Sequence, residues 1–390
     1  MAFGTVIEQR KTAKRNHVIG LFREKTHLSK AEVRQLSGYS METLIGIFRN
    51  LEDSGLLCPS EVAAARLKGR PSERYRLNPL VGLYLGVTFT SARLHLMLVN
   101  LSLERLSFRS VDVPDGAAQD EFERFFTAEL ARFAADNQHH LPAIRKIALA
   151  LPGQVDPATG VLRHYGLMPS WRNLDLASVV TRVFGAVPLV VRHNIAGYAR
   201  EVLSTPALRD FDGRILYVTA RSGTAHALLQ QGKIVLDNGE MGHLHVSQSN
   251  LVCECGRTGC LDTIFSLKAI GKLLPGQTLG DFGHHLRNLA VAAQAEALAP
   301  LETAYQAFSE ALLDLCAATS PDLVVLSGEL LAVLPEPVAW IERWLGQLYN
   351  PAQPPVWLPE DFLYLPSGTE AAALGLCSAL MDEDLQGGTF

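Results

Sequence analysis

The sequence predicts an α/β protein in which a winged helix-turn-helix head precedes two α/β lobes. Three observations carry that prediction. The first 80 residues show three short helical patterns, a glycine-bearing turn and two short apolar strands. The remainder gives one theme twice, a run of strands followed by strand and helix in alternation. Within the second copy, His243, Cys253, Cys255 and Cys260 crowd into one loop. The expected division is residues 1–80 for the head, 81–193 for the first lobe and 194–390 for the second, with the closing helix free to pack back on the first lobe.

The chain has 390 residues, 48% of them hydrophobic, which suffices for two or three domains with their own cores. No apolar run approaches bilayer length, so no membrane insertion is expected. The opening residues lack an apolar segment followed by a small-residue cleavage site, which predicts a cytoplasmic protein. In that reducing setting clustered cysteines hold metal more readily than they pair. Cys58, Cys316 and Cys377 stand in apolar contexts and read as packing residues. Net charge is −5 but unevenly spread: residues 1–80 hold 14 Lys+Arg against 8 Asp+Glu, the rest 21 against 32. A basic head on an acidic body points to a polyanionic partner for the head alone.

In the head, residues 12–24 read as a helix whose apolar face is Val18, Ile19, Leu21 and Phe22. Ser29 and Glu32 have capping-box spacing and start a second helix, which stops near Gly38. Ser40 caps a third, with Leu44, Ile47, Phe48 and Leu51 on its inner stripe and Gly55 at its end. Its outward positions include Met41, Glu42, Thr43, Gly46, Arg49 and Asn50, placed to enter a major groove. Strands are expected at residues 56–57 and 75–77. The basic turn between them, Lys68-Gly69-Arg70-Pro71, suits a narrow minor groove. Candidate DNA contacts are thus Ser40, Glu42, Thr43, Arg49, Asn50, Lys68 and Arg70, with Lys11, Lys14, Arg15 and Arg74 as further phosphate contacts. The competing reading is a helical packing module with a solvated basic loop.

In the body, strands are expected at 83–89, 93–99, 106–111, 144–151 and 187–192, with helices at 121–137 and from 195. The second copy predicts strands at 214–220, 225–230 and 234–236, mainly helix from 263 to 318, strands at 323–328 and 362–365, and a closing helix from about 368. The block Glu240-Met241-Gly242-His243, then Cys253-Glu254-Cys255-Gly256-Arg257-Thr258-Gly259-Cys260-Leu261-Asp262, offers three thiolates and one imidazole. That is a complete tetrahedral shell for a structural Zn²⁺, with no position left for reactive water. Gly256 and Gly259 allow the tight turns that aim several sulfurs at one point. Unligated buried cysteines and a disulfide are the alternatives.

These motifs resemble the ROK family of sugar kinases and sugar-responsive repressors. The zinc block carries the resemblance, supported by Leu151-Pro152-Gly153-Gln154-Val155-Asp156, Val191-Arg192-His193-Asn194 and Leu326-Ser327-Gly328. The likeness extends over nearly the whole chain, and the basic head is similar to the addition that marks the repressor branch. The resemblance implies an actin-like, ribonuclease H-like two-lobed sugar-kinase fold. It also implies sugar contacts at Asn194, Glu240, His243 and Asp262, and at Asn173 in the sugar-loop region.

The kinase parts depart from the family pattern. Thr88-Phe89-Thr90-Ser91-Ala92 stands where kinases have Asp-x-Gly-Gly-Thr, and Arg221-Ser222-Gly223-Thr224-Ala225-His226-Ala227 where they have a glycine-rich loop. Asn194 replaces the catalytic Asp, and a carboxamide cannot accept a hydroxyl proton. Asp262 is shorter than the family's usual Glu. The expectation is therefore no enzyme: a DNA-binding regulator, a repressor, that senses a sugar or sugar phosphate and binds double-stranded operator DNA as a homodimer or homotetramer. The alternatives are a sugar kinase with a tethered DNA-binding head and a scaffold for a protein partner.

Overall fold

The head folds because its apolar positions converge on one small core. The computed structural model describes residues 2–60, 73–114, 116–156, 158–168, 170–350 and 352–387. In the head these give α1 (Ala2–Glu24), β1 (Leu28–Ser29), α2 (Lys30–Ser37), α3 (Met41–Asp53), β2 (Leu57–Pro59) and β3 (Arg74–Leu77), the strands pairing in the order β1-β3-β2. Val18, Ile19, Phe22, Leu44, Phe48 and Leu51 are fully buried, and the Phe48 ring meets Phe22 and Tyr75 edge-on, with centroids 5.9 and 5.1 Å away. The capping box forms as expected: the Glu32 backbone donates to Ser29 Oγ at 3.3 Å, and the Ser29 backbone donates to Glu32 Oε2 at 2.7 Å. Gly38 then ends α2 in the left-handed region, at φ 70°. One expectation falls short: α1 begins at Ala2, not residue 12. Periodicity marks the stretch that carries the buried face Val18, Ile19 and Phe22, and the helix continues N-terminal to it without such a signal.

The two lobes repeat one connectivity. The first holds β4 (Leu83–Phe89), β5 (Arg93–Val99), β6 (Arg105–Asp112), α4 (Gln119–Asp136), β7 (Ile144–Leu151), β8 (Gln154–Asp156), β9 (Val161–His164), β10 (Arg172–Leu174), α5 (Leu176–Phe184), β11 (Leu189–His193) and α6 (Asn194–Val202). After α7 (Pro206–Arg209), the second holds β12 (Arg214–Ala220), β13 (Thr224–Gln230), β14 (Lys233–Gly239), α8 (Leu267–Leu273), α9 (Leu279–Asn288), α10 (Val291–Leu298), α11 (Glu302–Thr319), β15 (Leu323–Ser327), α12 (Glu329–Ala332), α13 (Pro337–Leu345), β16 (Asp361–Tyr364) and α14 (Ala371–Gly387). The sheets run β11-β7-β4-β5-β6 and β14-β13-β12-β15-β16. Each is an antiparallel meander of three strands extended from its first strand by two parallel ones. That is the doubled, actin-like two-lobed arrangement the resemblance implied.

The stretch expected to be mainly helix, 263–318, is helical and is divided into four helices, α8 to α11. Pro275-Gly276 interrupts the run, Thr278 caps α9 by accepting from the Asp281 backbone at 3.1 Å, and Pro300 stands in the turn before α11. The small sheet β10-β9-β8 and helices α5, α12 and α13 were not anticipated. Those strands are three or four residues long, too short for alternation to register.

Helix α14 does not stay with the lobe that precedes it in sequence. It packs on α6 and on β4, β5 and β7 of the first sheet. Two glycines make the α6–α14 contact: a Cβ on Gly197 would lie 1.9 Å from the Ala372 carbonyl, and one on Gly375 would lie 1.9 Å from the Gly197 carbonyl. The far part of α14 reaches the head. Asp382 pairs with Arg23 of α1 at 2.5 Å and with Arg200 of α6, while Glu24 pairs with Arg209 at 2.6 Å. Asp384, 4% exposed, accepts from Tyr84 Oη at 2.6 Å and pairs with Lys146.

Candidate functional site

A cleft of about 600 Å³ is lined from both lobes: the β4–β5 hairpin and β9 on one side, the 221–224 turn and metal loop on the other. The loop from Glu240 to Asp262 is shaped by backbone pairing. The Cys253 amide donates to the Arg257 carbonyl at 2.7 Å, the Gly256 amide to Cys253 at 2.9 Å, and the Leu261 amide to Leu244 at 2.9 Å. Gly256 and Gly259 take φ of 89° and 80°, as the tight turns require. The result gathers His243, Cys253, Cys255 and Cys260 so that their donor atoms all lie within 4.8 Å of one another. His243 Nδ1 stands 3.7 Å from Cys253 Sγ, and Cys255 Sγ 3.6 Å from Cys260 Sγ. Burial, with Arg257 and His164 nearby, lowers the His243 pKa and favours the neutral imidazole that a metal needs. These four side chains can hold a metal ion.

Four of the five expected sugar contacts meet in this cleft. Asn194 opens α6, Glu240 and His243 enter and end the first turn of the metal loop, and Asp262 closes that loop. Asp262 accepts from the Thr224 backbone at 3.0 Å and presses on Gly242, where a Cβ would lie 2.2 Å from its Oδ1. Burial first, and the Glu240 charge after the Thr224 hydrogen bond opposes it, raise the Asp262 pKa to about 7. Glu240 faces the water of the cleft, yet the surrounding walls push its carboxyl above the usual range. Asn173 is elsewhere: it is exposed on β10, takes φ 50°, and accepts from Arg163 Nη1 at 3.1 Å. The short sheet β10-β9-β8 carries it away from the cleft wall and brings His164 and Tyr165 there in its place. No local signal marks those two in the sequence; the strand pairing places them.

His193 caps α6 through Nδ1, which accepts from the Ile195 amide at 3.2 Å, and burial lowers its pKa from 6.5 to about 4. Because the folded value lies below the unfolded one, the unfolded chain binds the extra proton between those values. The stability of the neutral form is therefore complete above pH 6.5 and falls away toward pH 4. Unfolding free energies from urea titrations across that window should drop more in the parent than in His193→Gln, by at most about 3 kcal/mol. Parallel pH profiles for the two proteins would remove the role.

On the head, Glu42, Arg49 and Asn50 are exposed on α3 and Thr43 is half-buried. Ser40 uses its hydroxyl locally, accepting from the Thr43 amide at 3.2 Å and standing 3.0 Å from Thr43 Oγ1. Lys68 and Arg70 lie outside the described residues.

Comparison with known proteins agrees with this layout. A regulator from Escherichia coli K12, the DNA-binding transcriptional repressor Mlc, is 24% identical over 274 residues, covering 68% of this chain and 66% of Mlc. The dual regulator NagC of the same strain is 30% identical over 177 residues, covering 44% of this chain and 43% of NagC. The chain thus spans less than two thirds of these relatives' length. A crystal structure of a ROK family transcriptional regulator, itself a homologue of Mlc, superposes with a TM-score of 0.71 at 19% identity, covering 97% of this chain and 98% of that one. Kinases of the family share the body fold as well. With the doubled lobes, the metal loop and a family model matching residues 82–375, the chain belongs to the ROK family.

Proposed function

We propose that this protein is a cytoplasmic, sugar-responsive transcription regulator, a repressor with a catalytically silent ROK body. One observation carries the reading: a three-helix head with a short sheet is joined to a cleft lined by Asn194, Glu240, His243 and Asp262, and residue 194 there is an amide, which cannot serve as a general base. The kinase loops support it. At the β4–β5 turn, Thr90 Oγ1 accepts from the Ala92 and Arg93 amides, and the Ser91 amide donates to Tyr165 Oη, so these amides are engaged within the protein. In the second lobe, Arg221 just after β12 and His226 within β13 stand where the family kinases have glycines. Phosphoryl transfer depends on positioning phosphate and metal, and these loops lack the means.

The metal that fits is zinc. Tetrahedral bonds of about 2.3 Å to sulfur set thiolates about 3.8 Å apart, close to the observed 3.6 Å. Its role is to brace the loop that carries Glu240 and Asp262. The head would engage double-stranded operator DNA as part of a homodimer or homotetramer, two heads meeting two half-sites. No described helix is long and apolar enough to cross a membrane. A ligand releases DNA only by preferring the DNA-incompetent arrangement. Among the described contacts, α14 is placed to relay it, since it starts beside the cleft and ends against α1.

The test is selection of bound duplexes from a random pool, with and without candidate sugars. An enriched sequence that one sugar releases supports the reading. No enrichment, together with ADP formation above background in a coupled assay, would replace it with the kinase reading that the shared body fold allows. On the selected duplex, Arg49→Ala should weaken binding by 1–3 kcal/mol, roughly 5- to 150-fold. Unchanged anisotropy titrations would remove Arg49 from the interface.

A further inference from the structure

At the mouth of the cleft, one side chain of the first lobe stops just short of one from the metal loop. His164 lies on β9. Arg172 of the paired strand β10 donates from Nη1 to His164 Nδ1 at 2.7 Å and to the Trp171 carbonyl at 2.8 Å. A guanidinium only donates, so Nδ1 accepts and the ring proton sits on Nε2. That N–H is shut off from solvent and, among the described residues, has no hydrogen-bond partner. Glu254 Oε2, on the metal loop, stands 3.9 Å away, beyond hydrogen-bond range.

Both sides of this gap are anchored. Arg172 fixes the imidazole, and Glu254 Oε1 accepts from Lys268 of α8 at 3.0 Å. Gly166 borders the same carboxylate: a Cβ there would lie 3.9 Å from Oε2, and its φ is outside the left-handed region. His164, Gly166, Glu254 and Lys268 all line the cleft. A buried donor left unpaired is unfavourable, and water does not reach this one. Its acceptor must come from the protein. An approach of about 1 Å between the lobes brings Oε2 to a normal bonding distance of about 2.9 Å.

Resting on the sugar-sensing reading above, we infer that His164 and Glu254 form a latch across the cleft mouth, open in this structure and closed when the cleft is occupied. The bond joins a neutral N–H to a carboxylate, so it is charge-assisted. It ties the metal loop to the first lobe, and an occupant then leaves only when the bond breaks. Neither residue has to touch the occupant; both are positioning residues. Glycine at position 166 leaves the approach clear, because a methyl in ordinary contact with Oε2 now would be pressed into it on closure.

Histidine-selective heteronuclear NMR on the full, metal-loaded chain reads the latch directly. In the free protein His164 should be the Nε2–H tautomer. The protein is then titrated with glucose, N-acetylglucosamine and their 6-phosphates, with binding scored by calorimetry. At least one compound should move the His164 Hε2 proton downfield and slow its exchange with water. Glu254→Ala should bind that compound about tenfold more weakly and leave Hε2 unshifted. Gly166→Ala should match the free parent in thermal midpoint and metal content, yet lose affinity in the same way. Should Glu254→Ala lose its metal, Gly166→Ala decides the matter. A compound that binds the parent without moving Hε2 overturns the inference and leaves the sugar-sensing reading standing. So does an Nδ1–H tautomer, or parental affinity in Gly166→Ala. Binding of none of these compounds overturns both.

Discussion

Cys255→Ser should abolish metal binding at the proposed site and loosen the loop that shapes the cleft. The four donors lie within 4.8 Å of one another, and the tip of the loop beside them is open to solvent: Leu251 and Val252 are 52% and 77% exposed. A serine hydroxyl stays protonated at neutral pH and is a poor zinc ligand, so the site falls to three donors. Metal binding in such small loops is largely the free energy of ordering them, with apparent values of about 10–16 kcal/mol in zinc-finger peptides. In a body with other cores the expected loss is smaller, about 3–5 kcal/mol. Because Glu240 and Asp262 bracket the loop, ligand binding should be lost together with the metal. Elemental analysis and thermal unfolding of the two proteins check this. One equivalent of metal retained by the variant would refute the assignment of Cys255.

Gly375→Ala should rank next. The α6–α14 crossing brings backbone against backbone, and a methyl at Gly375 would lie 1.9 Å from the Gly197 carbonyl. No rotamer relieves such a contact, so the helices must separate, at a cost of about 3 kcal/mol or more. The same substitution at Gly20 of α1, where nothing lies within 4 Å, should act in the opposite sense. There helix propensity alone operates and favours alanine by about 1 kcal/mol. Urea midpoints for the two variants should thus move in opposite directions. A neutral Gly375→Ala would mean that the two helices are not held in backbone contact in solution.

The sequence disclosed those parts of the fold whose cause is local. Strands β4, β5, β7 and β12 coincide with their expected limits, because each is a nearly continuous apolar run bounded by turn residues. The caps at Ser29 and Ser40 were legible because a hydroxyl and a backbone amide three residues apart suffice to make them. The metal donors were legible because they lie in one loop. What stayed hidden was assembled from distant segments. Asn173 followed from a motif resemblance, yet β10 pairs with β9 and carries it to an exposed edge. Tyr198 and Ser367 meet Arg221 only because α6 and the segment after β16 converge there. The mainly helical character of residues 263–318 was legible as well, and its breaks before α9 and α11 fall at Pro275-Gly276 and at Pro300.

The head's buried residues share one continuous core with α6, α14 and the facing strands of both sheets: Val18, Phe22 and Tyr75 belong to the same cluster as Tyr84, Tyr198, Tyr217 and Leu385. A reading head hung on a slack tether would melt on its own. Here, calorimetry should register the head and its surrounding helices within a single endotherm, and a fragment ending at residue 80 would emerge with raw apolar flesh where that core was cut.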